Sequence, residues 1–134
     1  MSICERLHLA SSRCVLGILV VADYLIDLPF EPKRSFWVQD VPVGATRGFH
    51  AHRTGQQILV CLTGRILAKF TDGYHSAELE LSSSETAVWM KNMVWGEQTF
   101  VEPKSVLLVL ASNPYDESDY IRDRQEFELL AQKP

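Results

Sequence analysis

Two histidines one residue apart, His50 and His52, carry the clearest chemical signal in the chain. On a β-strand, residues two apart point to the same face, so the pair would project two imidazoles side by side. Three readings follow. Two histidines can be buried for structural reasons, because His is only intermediate in burial. They can hold a metal, since neutral imidazole is a common ligand. They can also carry protons, since imidazole titrates near working pH. The segment around them is Gly44-Ala45-Thr46-Arg47-Gly48-Phe49-His50-Ala51-His52, which sets a cation and a glycine just upstream of the pair.

Short strands must position these rings. Apolar runs rich in β-branched and aromatic residues occupy 15–21, 35–38, 57–62, 65–70, 77–81, 86–90 and 105–111, with breaks containing Pro, Gly, Asn or Ser between them. That spacing predicts an antiparallel sandwich or barrel. Thr71-Asp72-Gly73 between two runs predicts a hairpin turn. The run 106–110 is continuously apolar, as expected of a strand buried on both faces, one of which could serve as a subunit interface. Only residues 117–130 have a helical rhythm, with Tyr120, Phe127 and Leu130 on one face. The reading is one all-β domain over 1–134, with a core at about 9–112 and a short tail at 113–134.

Composition narrows the function classes. A chain of 134 residues with 46% hydrophobic and 22% charged residues can bury one core. The net charge of −4 argues against a nucleic-acid surface. Its acid excess is concentrated at 115–128, where six acids face two bases. No stretch reaches the roughly 18 apolar residues of a membrane helix, and the start lacks a signal-peptide pattern. Cys4, Cys14 and Cys61 form no C-x-x-C spacing and suit a reducing cytoplasm.

The wider spacing of Gly44, His50-x-His52, Gln57 and Gly64 resembles the first motif of the cupin superfamily, whose fold is a double-stranded β-helix or jelly roll. In that motif Gln57 stands where a metal-binding Glu is usual. In the second motif, the last ligand position is Gly96. Two of four ligands are therefore missing, and neither a metal nor another cofactor is expected.

A narrower resemblance is carried by longer strings: Pro29-Phe30, Lys33-Arg34, Arg47-Gly48-Phe49-His50-Ala51-His52, and Gln57-x-Leu59-Val60-Cys61-Leu62-x-Gly64. It continues with Asp72-Gly73, Val94-Trp95-x-Glu97, the run 106–112, and Tyr115-Asp116-Glu117-Ser118-Asp119-Tyr120-Ile121-Arg122-Asp123. These resemble the dTDP-4-keto-6-deoxyglucose 3,4-ketoisomerases, or WxcM-like proteins. The resemblance implies a cytoplasmic homodimer acting on a dTDP-linked keto-deoxysugar, with no nucleic-acid or membrane partner. Two imidazoles on one face can share the proton transfers of such a reaction; the sequence does not fix which takes the carbon proton, and His50 is favoured as base at carbon with His52 as proton carrier at oxygen. Arg47 would meet the enediolate or the diphosphate, and Arg13 a phosphate. Lys69 would meet the diphosphate, Trp37 and Trp95 would line the pocket, and Gln57 and Glu97 would contact the substrate. Relatives usually carry two tyrosines where this chain has Phe36 and Trp37, so no phenol is expected there. They often carry His or Arg at Gly96. These departures keep a non-catalytic sugar-nucleotide-binding cupin as the alternative. A sugar-nucleotide 3,5-epimerase is a weaker third reading.

Overall fold

The computed structural model describes residues 3–132. In chain order the strands are β1 (Cys4–His8), β2 (Ala10–Cys14), β3 (Gly17–Val21), β4 (Arg34–Val38), β5 (Thr46–His52) and β6 (Gln57–Thr63). They continue as β7 (Ile66–Thr71), β8 (Ser76–Leu81), β9 (Thr86–Met90), β10 (Trp95–Phe100) and β11 (Val106–Ala111). A 3-10 turn (Glu117–Asp119), β12 (Tyr120–Ile121) and helix α1 (Arg124–Ala131) complete the tail.

Two five-stranded antiparallel sheets result, ordered β1-β9-β6-β11-β4 and β12-β5-β10-β7-β8, with β2-β3 as a separate hairpin. This is the all-β cupin architecture expected. Between the sheets pack Leu59, Cys61, Phe70, Val88, Met90, Phe100, Leu107 and Val109. Strand alternation sends their neighbours outward, so Ile58, Val60, Leu108 and Leu110 form a second cluster under Leu9, Leu28 and Phe30. This explains why β6 and β11 read as continuous apolar runs. The Asp72-Gly73 turn closes β7 onto β8 as predicted, and Asp72 Oδ1 accepts the backbone N–H groups of Tyr74 and His75.

Pairing extends outside 9–112 at both ends. β1 pairs with β9, and β12 pairs with β5. The helical reading of 117–130 holds only for its second half. Asp123 caps α1 by accepting from the Gln125 N–H, while Tyr120 lies on β12 rather than on a helix face. α1 covers the outer face of the second sheet, where fully buried Phe127 meets Ala51, Trp95 and Ile121. The hairpin β2–β3 leaves apolar side chains in the open: Val15 is 99% and Leu16 93% exposed.

Candidate active site

A backbone irregularity in β5 aims the catalytic candidates. Arg47 and His50 are three apart and would face opposite ways on a regular strand. Gly48 (φ +101°) and Phe49 (φ +55°) instead form a bulge against β10, whose register shifts between Gly96 and Glu97. One added residue restores the parity, so Arg47 and His50 line one cavity. Only glycine suits position 48, because an added Cβ would lie 2.7 Å from the Gly96 carbonyl oxygen. Gly48→Ala is expected to cost about 1–3 kcal/mol in urea unfolding, the scale of a side chain forced into a sparsely populated backbone region. A loss under about 0.5 kcal/mol would show that the bulge tolerates a side chain.

The cavity has a volume of about 230 Å³. Phe36, Val38, Leu59, Leu107 and Val109 give it an apolar floor, and Arg34, Arg47, His50, Gln57, Gln98, Tyr115, Tyr120 and Arg122 supply polar groups. Three guanidiniums on one concave wall favour an anionic ligand, despite the chain's net charge of −4. Around the mouth, Arg122 bonds both oxygens of Glu117, and Tyr115 donates to the same carboxylate. These bonds, Arg122 foremost, hold the Glu117 carboxyl down at about 2.

His50 and His52 point into the barrel while Ala51 between them faces α1. The two rings meet edge to face with centroids 5.0 Å apart. His50 Nδ1 lies 3.0 Å from the Gly48 carbonyl oxygen, a group that only accepts, so Nδ1 carries the hydrogen and Nε2 keeps a lone pair. His52 Nδ1 lies 3.3 Å from Asp119 Oδ2. Burial lowers the pKa of both rings, His52 to about 4, with the neighbouring His50 adding to the effect on His52. Both are therefore neutral at neutral pH.

A phenol does join the pair, but it comes from the tail. β12 pairs Tyr120 directly with His52 and Ile121 with Ala51, so Tyr120 shares the inward face. Its ring lies 4.4 Å from that of His52 and 5.0 Å from that of His50, centroid to centroid. Arg34 Nη2 donates to the Tyr120 hydroxyl at 3.1 Å, and Arg122 stacks over the ring at 4.2 Å. The signal for this was in the sequence, in the string 115–123. The string is acidic overall, yet its arginine and tyrosines line the cavity. Arg34 likewise lines the cavity without having been expected there as a site residue.

Of the residues proposed from sequence, His50, Arg47 and Gln57 line this cavity, and His52 borders it through Tyr120. The others lie elsewhere within the chain, and strand parity is the main reason. On β10, Gly96 and Gln98 face inward, which turns Trp95 and Glu97 to the outer face of the sheet, where Trp95 is buried under α1. There Trp95 Nε1 donates to Glu97, and Lys69 stands opposite Glu97 on β7. Those three border a separate cleft of about 290 Å³ with Glu78 and Arg124. On β4, Phe36 faces inward and Trp37 outward, 61% exposed. Arg13 sits on the exposed hairpin and pairs with Glu85. Gly96 does face the interior opposite His50, but Met90 Sδ would lie 2.8 Å from an added Cβ. The space of the missing side chain is filled by thioether.

The donor set does not fit a divalent metal. The third and fourth cupin ligand positions hold a neutral Gln57 and a glycine, and among the described residues no three His, Cys, Asp or Glu side chains converge. No helix among the described residues is long and apolar enough to cross a membrane.

Comparison with known proteins matches residues 3–132 to the family described as FdtA, WxcM-like, C-terminal. A TDP-4-oxo-6-deoxy-alpha-D-glucose-3,4-oxoisomerase of Aneurinibacillus thermoaerophilus is 37% identical over 117 residues, covering 87% of this chain and 84% of that protein. The crystal structure of QdtA, a sugar 3,4-ketoisomerase of Thermoanaerobacterium thermosaccharolyticum in complex with TDP, superimposes with a TM-score of 0.93 at 30% identity. It covers 97% of this chain and 95% of that one. A histidine-to-asparagine variant of QdtA in complex with TDP-4-keto-6-deoxyglucose aligns with a TM-score of 0.94 at 29% identity, over 98% and 96% of the two chains.

Proposed function

Since the chain belongs to the FdtA family of WxcM-like proteins, we propose that it is an isomerase that moves the keto group of dTDP-4-keto-6-deoxyglucose from C4 to C3. The observation that carries this reading is the neutral imidazole of His50. It opens with a free Nε2 on a cavity walled by three arginines and two phenols.

The chemistry needs no external redox partner. A base takes the C3 hydrogen as a proton, and the freed electron pair forms a C3–C4 double bond. The C4 carbonyl oxygen takes up a proton, giving an enediol. Loss of the proton on the C3 oxygen and delivery of one to C4 leaves a ketone at C3. His50 is the base at carbon, and His52 carries protons at oxygen. Tyr120 lies against both rings and extends the set of exchangeable protons at the cavity wall. Arg47 stabilises the developing enediolate or holds the diphosphate. Gln57 contacts the sugar.

Such a product suits an aminotransferase making a 3-amino-3,6-dideoxy sugar. Neither Cys14 nor Cys61 forms a disulfide among the described residues, in keeping with a cytoplasmic enzyme. We assign a homodimer on the exposed apolar hairpin, where Val15, Leu16, Leu19 and the nearby Leu25 and Ile26 need cover. Light scattering is expected to give twice the chain mass, and a monomer would contradict this.

The test is turnover. Purified protein given dTDP-4-keto-6-deoxyglucose is expected to produce the 3-keto isomer by proton NMR. Tight dTDP-sugar binding with no isomer formed would support the non-catalytic alternative instead.

A further inference from the structure

Asp119 has more hydrogen-bond donors than a surface acid needs. Its Oδ1 accepts from the Thr54 N–H at 2.8 Å and the Thr54 hydroxyl at 3.0 Å. Its Oδ2 accepts from the Gly55 N–H at 3.1 Å and lies 3.3 Å from His52 Nδ1. Burial alone would raise its pKa, but these bonds hold it below the usual carboxylate range. An ionised carboxylate only accepts, so the hydrogen between it and His52 belongs to Nδ1. His52 Nε2 is then a lone pair, and it is buried with no hydrogen-bond partner. His52 also borders a void of about 10 Å³ with Arg34, Gln57 and Tyr120, the groups that line the sugar-sized cavity next door.

We infer that Asp119 is a positioning residue that fixes His52 in the Nδ1–H tautomer and so leaves Nε2 as the proton acceptor facing Tyr120 and the cavity. The histidine pair is then not symmetrical in its support. A backbone carbonyl sets His50, whereas a side chain delivered by the tail sets His52. Docking of the tail therefore completes the second imidazole. The size of residue 55 is part of this device, because a Cβ at Gly55 would lie 2.7 Å from Asp119 Oδ2. Gly55 makes room for the carboxylate to reach the ring.

The inference rests on the ketoisomerase reading for its catalytic consequence, but not for its structural core. Nitrogen-15 NMR of histidine-labelled protein without ligand reads the tautomer directly. The wild type is expected to show His52 protonated at Nδ1 and bare at Nε2. Asp119→Asn presents an amide where both oxygens now only accept, and it is expected to shift His52 toward Nε2–H. It should lower kcat by about 10- to 100-fold, the scale for partners that orient a functional histidine, with KM changed less than about threefold. A merely structural role would leave the tautomer unmoved. Should Asp119→Asn fail to fold, Gly55→Ala displaces the carboxylate by crowding and is expected to shift the tautomer in the same direction. A wild-type His52 carrying its hydrogen on Nε2 would overturn the inference, as would Asp119→Asn with wild-type tautomer and kcat. A wild type that turns over no keto sugar but shows the Nδ1–H form would sink the ketoisomerase reading and leave Asp119's positioning role standing.

Discussion

Replacing His50 by asparagine is expected to lower kcat by about 10²–10⁴-fold, the usual contribution of one well-placed acid–base group. TDP should still bind within a few-fold of wild type. The argument is geometric. His50 is the imidazole of the pair that lines the cavity, and its Nδ1 hydrogen is committed to the Gly48 carbonyl. Its Nε2 is therefore available to carbon. Burial keeps the ring neutral by depressing its pKa, so the base form is already present at neutral pH. Asparagine can keep the bond to the backbone but cannot accept a proton from carbon. Steady-state turnover together with isothermal titration of TDP separates the two effects. Retained kcat would remove His50 from the reaction, and lost TDP affinity would make it a binding residue.

Phe127→Ala is expected to cost about 3–5 kcal/mol, as for large aromatic truncations in well-packed sites. Phe127 is fully buried and joins α1 to Ala51, Trp95 and Ile121, with its ring 5.6 Å from that of Trp95. These contacts hold the tail against β5, and the same tail delivers Asp119 and Tyr120 to the histidines. Activity should therefore fall at temperatures where the remaining strands are still folded, as a site losing its outer wall. Urea unfolding and activity as a function of temperature measure the two effects. Leu129→Ala on the same helix is the control, because Leu129 is 65% exposed and its truncation should stay within about 0.5 kcal/mol. Equal costs at 127 and 129 would show that α1 does not anchor the tail.

The sequence made the strands and the histidine pair legible because both depend on local signals. Period-two alternation, Asp72-Gly73 and the spacing of His50 and His52 need no knowledge of partners. Side-chain direction at the cavity was harder to read, since parity along β4 and β10 is set by which sheet face becomes the interior. Trp95, Glu97 and Trp37 looked like pocket residues by chemistry, yet each lies one residue from the position that faces in. The bulge at Gly48-Phe49 reverses the parity of Arg47, and only the glycine hinted at it. The tail's part in the site was hard to read for a related reason. The string 115–123 reads as acidic overall, but pairing with β5 sorts it residue by residue. Glu117 is tied to Arg122, Asp119 turns to His52, and Tyr120 enters the cavity wall. Net charge says nothing about that sorting.

Isomerisation in heavy water tests the central claim most directly. With dTDP-4-keto-6-deoxyglucose in deuterated buffer, wild-type protein should place deuterium at C4 of the 3-keto product and at C3 of the 4-keto sugar that returns, and His50→Asn should place it at neither. A wild type that holds the nucleotide sugar yet leaves both carbons unlabelled, or one that labels C3 and C5 without shifting the ketone, would contradict proton transfer between those two carbons by this pair of imidazoles.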